Sequence, residues 1–172
     1  MRTWQVDPSH STIGFSVRHL MISKVRGRFG AFSAELKDDG GFSAVTASIE
    51  TGSIDTREDK RDAHLRSADF FDSEKHPKMT FESTRVEQRN DGRYVVRGNL
   101  TIRGTTKEVA MDVELLGKAK DPWGNDRVAF TGKTTIDRVD FGLTWNQALE
   151  AGGILVGEKV DIELEVQFIA KG

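Results

Sequence analysis

The chain has 172 residues, 25 Lys and Arg against 27 Asp and Glu, a formal charge of −2, and no cysteine. That length suits one domain over 1–172 with a real core. The balanced, scattered charge carries no footprint for nucleic acid, and the absence of thiols excludes disulfide frameworks, thiolate metal sites and cysteine nucleophiles.

No apolar run reaches bilayer-spanning length. Met1 to Asp7 leads directly into a strand-like pattern without the apolar stretch of a signal peptide, so the chain reads as cytoplasmic, or periplasmic if a leader was trimmed.

Period-two alternation dominates from the start. Ile13, Phe15 and Val17 alternate with Thr12, Ser16 and Arg18. Around Gly30 the phase changes, because Phe29 and Phe32 cannot share one face of a regular strand, and a β-bulge is expected there. A segment near 32–37 follows, then Gly40-Gly41, then Val45, Ala47 and Ile49 between polar neighbours.

One helix is expected, from about Arg57 to Ser67, with Thr56 as N-cap and Asp59 completing an imperfect capping box. Only Ala63 and Leu65 are clearly apolar in it, so it cannot thread the interior and must lie outside, over one end. Phe70 and Phe71 follow at once and suit an anchor or the lining of an opening.

Segments near 79–86 and 94–102 flank Asn90-Asp91-Gly92, a strong hairpin signal. Beyond Gly104 come 109–115, the Pro122–Asn125 loop, 128–136, and the clearest strand, Val160, Ile162, Leu164, Val166 and Phe168 set against acidic neighbours. The total is about eight strands, the count at which an antiparallel sheet closes into a barrel and loses its edges. The fold class is all-β: an eight-stranded antiparallel barrel with one short charged helix.

A barrel of this size is either filled by its own side chains or holds one small ligand. Gly98, Gly132, Ser83, Thr134, Ala34 and Ala47 are small for inward positions, which points to spare apolar volume along a slot roughly 30 Å long at about 3.3 Å per residue. The alternative is a filled barrel in which the glycines ease bending, and the pattern alone leaves both open.

Asp7-Pro-Ser-His10-Ser11, Val25-Arg-Gly27-Arg-Phe29, the block Arg61-Asp62-Ala-His64-Leu65 through Asp69-Phe70-Phe71-Asp72, His76-Pro77, Gly98-Asn-Leu100-Thr-Ile102-Arg-Gly104 and Arg138-Val-Asp140-Phe141-Gly142 occur in that order. In these motifs the chain resembles the YceI-like, polyisoprenoid-binding family along essentially its whole length. The resemblance implies an extended, lipocalin-like barrel, often in a homodimer, whose interior holds a polyisoprenoid or similar long-chain amphiphile. It implies no cofactor and no bond made or broken.

The candidate tail-binding residues are Phe15, Val17, Phe32, Met79, Phe81, Leu100, Ile102, Met111, Phe130, Phe141 and Trp145, joined by His19, Phe70 and Phe71; each is equally readable as core. Arg18, Arg61 and Arg66 are head-group candidates because a guanidinium fork suits phosphate, although the helix carboxylates offer Arg61 and Arg66 nearer partners. Asp7 with His10, and Arg138 with Asp140, read as structural pairs. The four histidines lack zinc-site spacing, and Ser11 lacks a nucleophile elbow. Two other classes stand beside the carrier: an enzyme using His19 or His64 beside a carboxylate, and a ligand-free interaction barrel.

Overall fold

The computed structural model describes residues 1–147 and 155–171. Its strands are β1 (Arg2–Val6), β2 (Thr12–His19), β3 (Ser23–Phe29), β4 (Phe32–Asp38), β5 (Phe42–Glu50), β6 (Ile54–Asp55), β7 (Lys78–Gln88), β8 (Arg93–Ile102), β9 (Thr105–Lys120), β10 (Asp126–Asp137) and β11 (Val156–Ala170), with one helix, α1 (Asp59–Arg66), between β6 and β7.

All described strand pairs are antiparallel. The order β1-β4-β5-β7-β8-β9-β10-β11 closes through a β1–β11 pairing into an eight-stranded barrel. β2, β3 and β6 continue outward from β11. β11 pairs with β2 between Val156 and Glu165, and with β1 between Phe168 and Ala170. The step between β1 and β2 is a single 3-10 turn at Pro8–His10, capped by the Asp7 carboxylate, which accepts from Ser9 N–H. The barrel is thus closed by β1–β4 at one end and flares into β2–β3 at the other.

β1 and β3 are short, and neither appears in the expectation from alternation. The expected bulge at Gly30 is instead a break between strands. β3 ends at Phe29, β4 starts at Phe32, and Gly30 N–H donates to Ser53 O at 3.2 Å as the chain changes partner. The turns match their chemistry: Arg103 (φ 51°) and Gly104 (φ 76°) form a two-residue hairpin between the paired Ile102 and Thr105, the geometry that needs positive φ twice.

The helix is shorter than expected and capped differently. Glu58, not Thr56, is its N-cap, accepting from Lys60 and Arg61 N–H. Thr56 is buried, and both its N–H and hydroxyl donate to the buried carboxylate of Asp62, so it is unavailable as a cap.

Two clusters fill the interior. One holds Phe29, Ile49, Phe70, Phe81, Val96, Leu100 and Phe141; the other, toward the closed end, holds Trp4, Leu36, Val128, Phe130 and Phe168. The two glycines expected to leave room do not. A Cβ on Gly98 would lie 2.5 Å from Phe81 Cζ, and one on Gly132 would lie 2.9 Å from Met111 Sδ. Neighbouring side chains already occupy that space. The middle of the barrel is packed, and the expected long slot is replaced by a chamber at the flared end.

Candidate functional site

The chamber has a volume of about 380 Å³. Its walls come from β2 and β3 (Ile13, Phe15, Val17, Val25, Phe29), α1 and the segment after it (Leu65, Phe70, Phe71), the adjoining ends of β7, β8 and β10 (Met79, Ile102, Ile136), Phe141 to Trp145, and β11 (Val160, Ile162). Period two explains the strand contributions, since each supplies alternate residues from one face. Gly27 is required by this wall: a Cβ there would lie 2.4 Å from Phe15 Cζ, so only glycine lets the ring lie across β3.

Aromatic contacts brace both sides. Phe29 meets Phe15 at 5.6 Å and Phe71 edge-on at 5.8 Å, while Trp145 meets the His64 ring at 4.6 Å and Phe70 at 5.5 Å between centroids. His64 Nε2 lies 2.9 Å from Asp69 Oδ2, tying α1 to the turn that presents Phe70. Phe71 N–H donates to Leu65 O, so both phenylalanines are held by the end of the helix.

The rim is polar and includes Arg18, His19, Glu58, Lys60 and Arg61. Glu58 is committed to capping α1. Arg61 Nε and Nη2 donate to Thr56 Oγ1 and O, both at 2.8 Å, which consumes part of its fork. Among the described residues, Arg18 and Lys60 have no acidic side chain within salt-bridge distance. His19 likewise has no carboxylate partner among them.

One cation is built into the wall. Arg138 is 5% exposed and donates from Nε to Gly157 O (2.8 Å), from Nη1 to Leu143 O (2.6 Å) and Trp145 O (3.0 Å), and from Nη2 to Val156 O (3.2 Å). Burial lowers its pKa from the ordinary arginine value, while the charges of Glu158 and Asp137 oppose that shift. The expected Arg138–Asp140 pair does not form. The guanidinium clamps four carbonyls on the two sides of the 148–154 segment, and Asp140 is exposed.

Of the sequence candidates, Phe15, Val17, His19, Phe70, Phe71, Met79, Ile102, Phe141, Trp145, Arg18 and Arg61 meet at this chamber. Phe81 and Leu100 lie one layer deeper, beneath Met79 and Ile102. Phe32 packs against the same core, Phe130 belongs to the far cluster, and Met111 lies over Gly132. Arg66 is not on the wall. Ile13, Val25, Phe29, Ile54, Ile136, Leu143, Val160 and Ile162 are wall residues that sequence reasoning passed over, although their alternation with polar neighbours places them on the same faces.

Asp7 and His10 do pair, at 2.8 Å, but far from the chamber and with a stronger partner. Arg127 donates to Asp7 and Asp121, both at 2.8 Å. Arg127 holds Asp7 well below the usual carboxylate range. At Asp121 burial raises the pKa, but hydrogen bonds from Asn125, Arg127 and Trp123 outweigh it and lower it to about 2.

A closed antiparallel barrel with an apolar chamber that opens at a cationic rim is the architecture of a small-ligand-binding β-barrel. The YceI-like domain matches residues 4–168. A UPF0312 protein of Staphylococcus aureus is 40% identical over 98% of both chains, and one of Vibrio cholerae is 37% identical over 95% of this chain and 84% of its own. The chain belongs to the YceI-like family. Among solved structures, a Campylobacter jejuni YceI protein is 30% identical with a TM-score of 0.78, covering 90% of each chain. Burkholderia cenocepacia BcnA (22% identical, TM-score 0.82, covering 94% of this chain and 98% of its own) and a polyisoprenoid-binding domain from Saccharophagus degradans (15%, TM-score 0.71, 98% of each) share the fold.

Proposed function

We propose that this protein binds and carries a long-chain apolar lipid, a polyisoprenoid or similar amphiphile, with the tail in the chamber and the head at the Arg18 and Lys60 rim, without making or breaking a bond. The observation that carries the reading is the chamber itself: about 380 Å³ of volume, walled by aromatic and aliphatic side chains and opening at the Arg18 and Lys60 rim. Family membership and the polyisoprenoid-binding domain of the same fold support it.

At about 30 Å³ per water-sized group, the chamber accepts roughly 13 heavy atoms. That corresponds to two or three isoprene units, so the chamber encloses that much of the tail and the rest of a longer chain lies outside it. Each buried methylene contributes about 0.8 kcal/mol before the costs of association, enough for slow release.

The test is titration of the delipidated full chain with an environment-sensitive apolar probe, competed by prenyl alcohols and prenyl phosphates. Ile136 lines the chamber and is 9% exposed, so Ile136→Trp is expected to occupy part of it and weaken uptake while far-UV dichroism stays that of a β protein. Unchanged uptake by that variant contradicts the assignment.

A further inference from the structure

Beside the chamber mouth lies a feature that lipid binding inside the barrel does not use. The β2–β3 hairpin ends in Leu20, Met21 and Ile22, which are 41%, 58% and 82% exposed. Three consecutive large apolar side chains in water are unusual for a hairpin tip, where Asn, Asp and Gly supply the positive φ that the turn needs. Here Leu20 (φ 55°) and Met21 (φ 61°) hold left-handed backbone instead. Strain of this kind persists where residue identity serves something other than stability.

Charge is concentrated just below the tip. Residues 12–29 contain Arg18, Lys24, Arg26 and Arg28 and no Asp or Glu, in a chain whose net charge is −2. Arg18 pairs across the hairpin with Lys24, Ser16 with Arg26, and Gly14 with Arg28. Cross-strand partners share a face, so the four cations form one cluster opposite the face that carries Phe15, Val17 and Val25. Like charges this close repel. Among the described residues their one acidic contact is Arg28 with Asp55 at 3.9 Å. The tip is continuous with the mouth: Arg18 and His19 line it, and Leu20 N–H donates to Leu155 O at 2.8 Å.

We propose that the β2–β3 hairpin docks on an anionic bilayer surface, with Leu20, Met21 and Ile22 entering the interfacial layer and Lys24, Arg26 and Arg28 meeting lipid phosphates. Apolar side chains flanked by Lys and Arg are the combination that interfacial anchoring uses. A second copy is a poorer occupant, because a two-fold contact through this tip brings two cationic clusters together. The purpose of docking, presenting the mouth to a lipid source, rests on the carrier reading; the docking itself does not.

The experiment is co-sedimentation of the full chain with vesicles of two parts phosphatidylcholine to one part phosphatidylglycerol, and with phosphatidylcholine alone. Binding is expected to the anionic vesicles, and to weaken as salt rises and shortens the Debye length. Lys24→Glu with Arg26→Glu should lower partitioning by at least about 25-fold, since each cation near an anionic leaflet contributes about fivefold. Met21→Ser with Ile22→Ser should also lower it, and both double variants should keep apolar-probe uptake in solution. Absence of wild-type binding, no preference for anionic vesicles, or equal binding by the variants overturns the proposal. Self-association that is lost in Met21→Ser with Ile22→Ser, without vesicle binding, overturns it in favour of a second copy. Failure of the carrier reading looks different: no probe uptake, with vesicle binding intact.

Discussion

Phe81 lies one layer beneath the chamber, behind the lining residues Met79 and Ile102, and replacing it tests the division between open and packed volume. The residue is 8% exposed, its ring covers Gly98, and it lies one inward position beyond Met79 on β7. Phe81→Ala removes a buried ring from a site where Gly98 has no side chain to collapse into the space. A core Phe→Ala substitution costs about 3–5 kcal/mol, and the lack of a neighbouring side chain at Gly98 places this one toward the upper half. That loss fits within the roughly 5–15 kcal/mol stability of a typical domain, so the variant should remain folded. Urea denaturation reads the stability, and competition by a prenyl alcohol series against an apolar probe reads the depth. For the wild type, affinity should climb with each added isoprene unit up to about 13 carbons and then level off, as the volume argument requires. In Phe81→Ala the levelling should move to longer tails. A stability loss below about 1 kcal/mol, or a levelling point that does not move, refutes the reasoning that the Phe81 layer limits the depth of the chamber.

Three further outcomes follow from named contacts. Arg138→Met should cost about 3 kcal/mol or more in denaturant unfolding, because it strips four carbonyls of their donor, and Arg138→Lys should rescue little because a point charge cannot reproduce the fork. Asp62→Ala should cost about 1–3 kcal/mol by leaving the buried Thr56 N–H and hydroxyl unpaired, with faster hydrogen exchange confined to α1 as the local readout. Asp7 and Asp121 have folded pKa values depressed below their unfolded ones, so their stabilisation is full above about pH 4 and is lost as pH falls toward 2. Thermal melts over that window should show the decline, and Arg127→Gln should flatten it.

The barrel was legible because period two survives in long strands. Val160 to Phe168 and Asn90-Asp91-Gly92 announce a strand and a hairpin without help from the rest of the chain. β1 and β3 were harder: one is short, and the other carries Gly27 where an inward side chain belongs. The helix start was misplaced because Thr56 has the chemistry of a cap but is taken up by Asp62, a contact between side chains that propensity does not encode. For the site, alternation reports which face a residue occupies and not its height along the barrel axis. Phe15 and Phe81 look alike in sequence, yet one lines the chamber and the other lies beneath it. What separates them is where the Phe81 ring packs over Gly98. Arg138 was read toward Asp140, its neighbour in sequence, because its true partners are backbone carbonyls and leave no side-chain pattern to find.

Organic extraction of the protein purified from its own source, with mass spectrometry of what is released, reads lipid carriage directly. An apolar-tailed lipid is expected in near-stoichiometric amount, and in lower amount in the Ile136→Trp variant. A clean extract from wild-type protein that also fails to take up an apolar probe contradicts it.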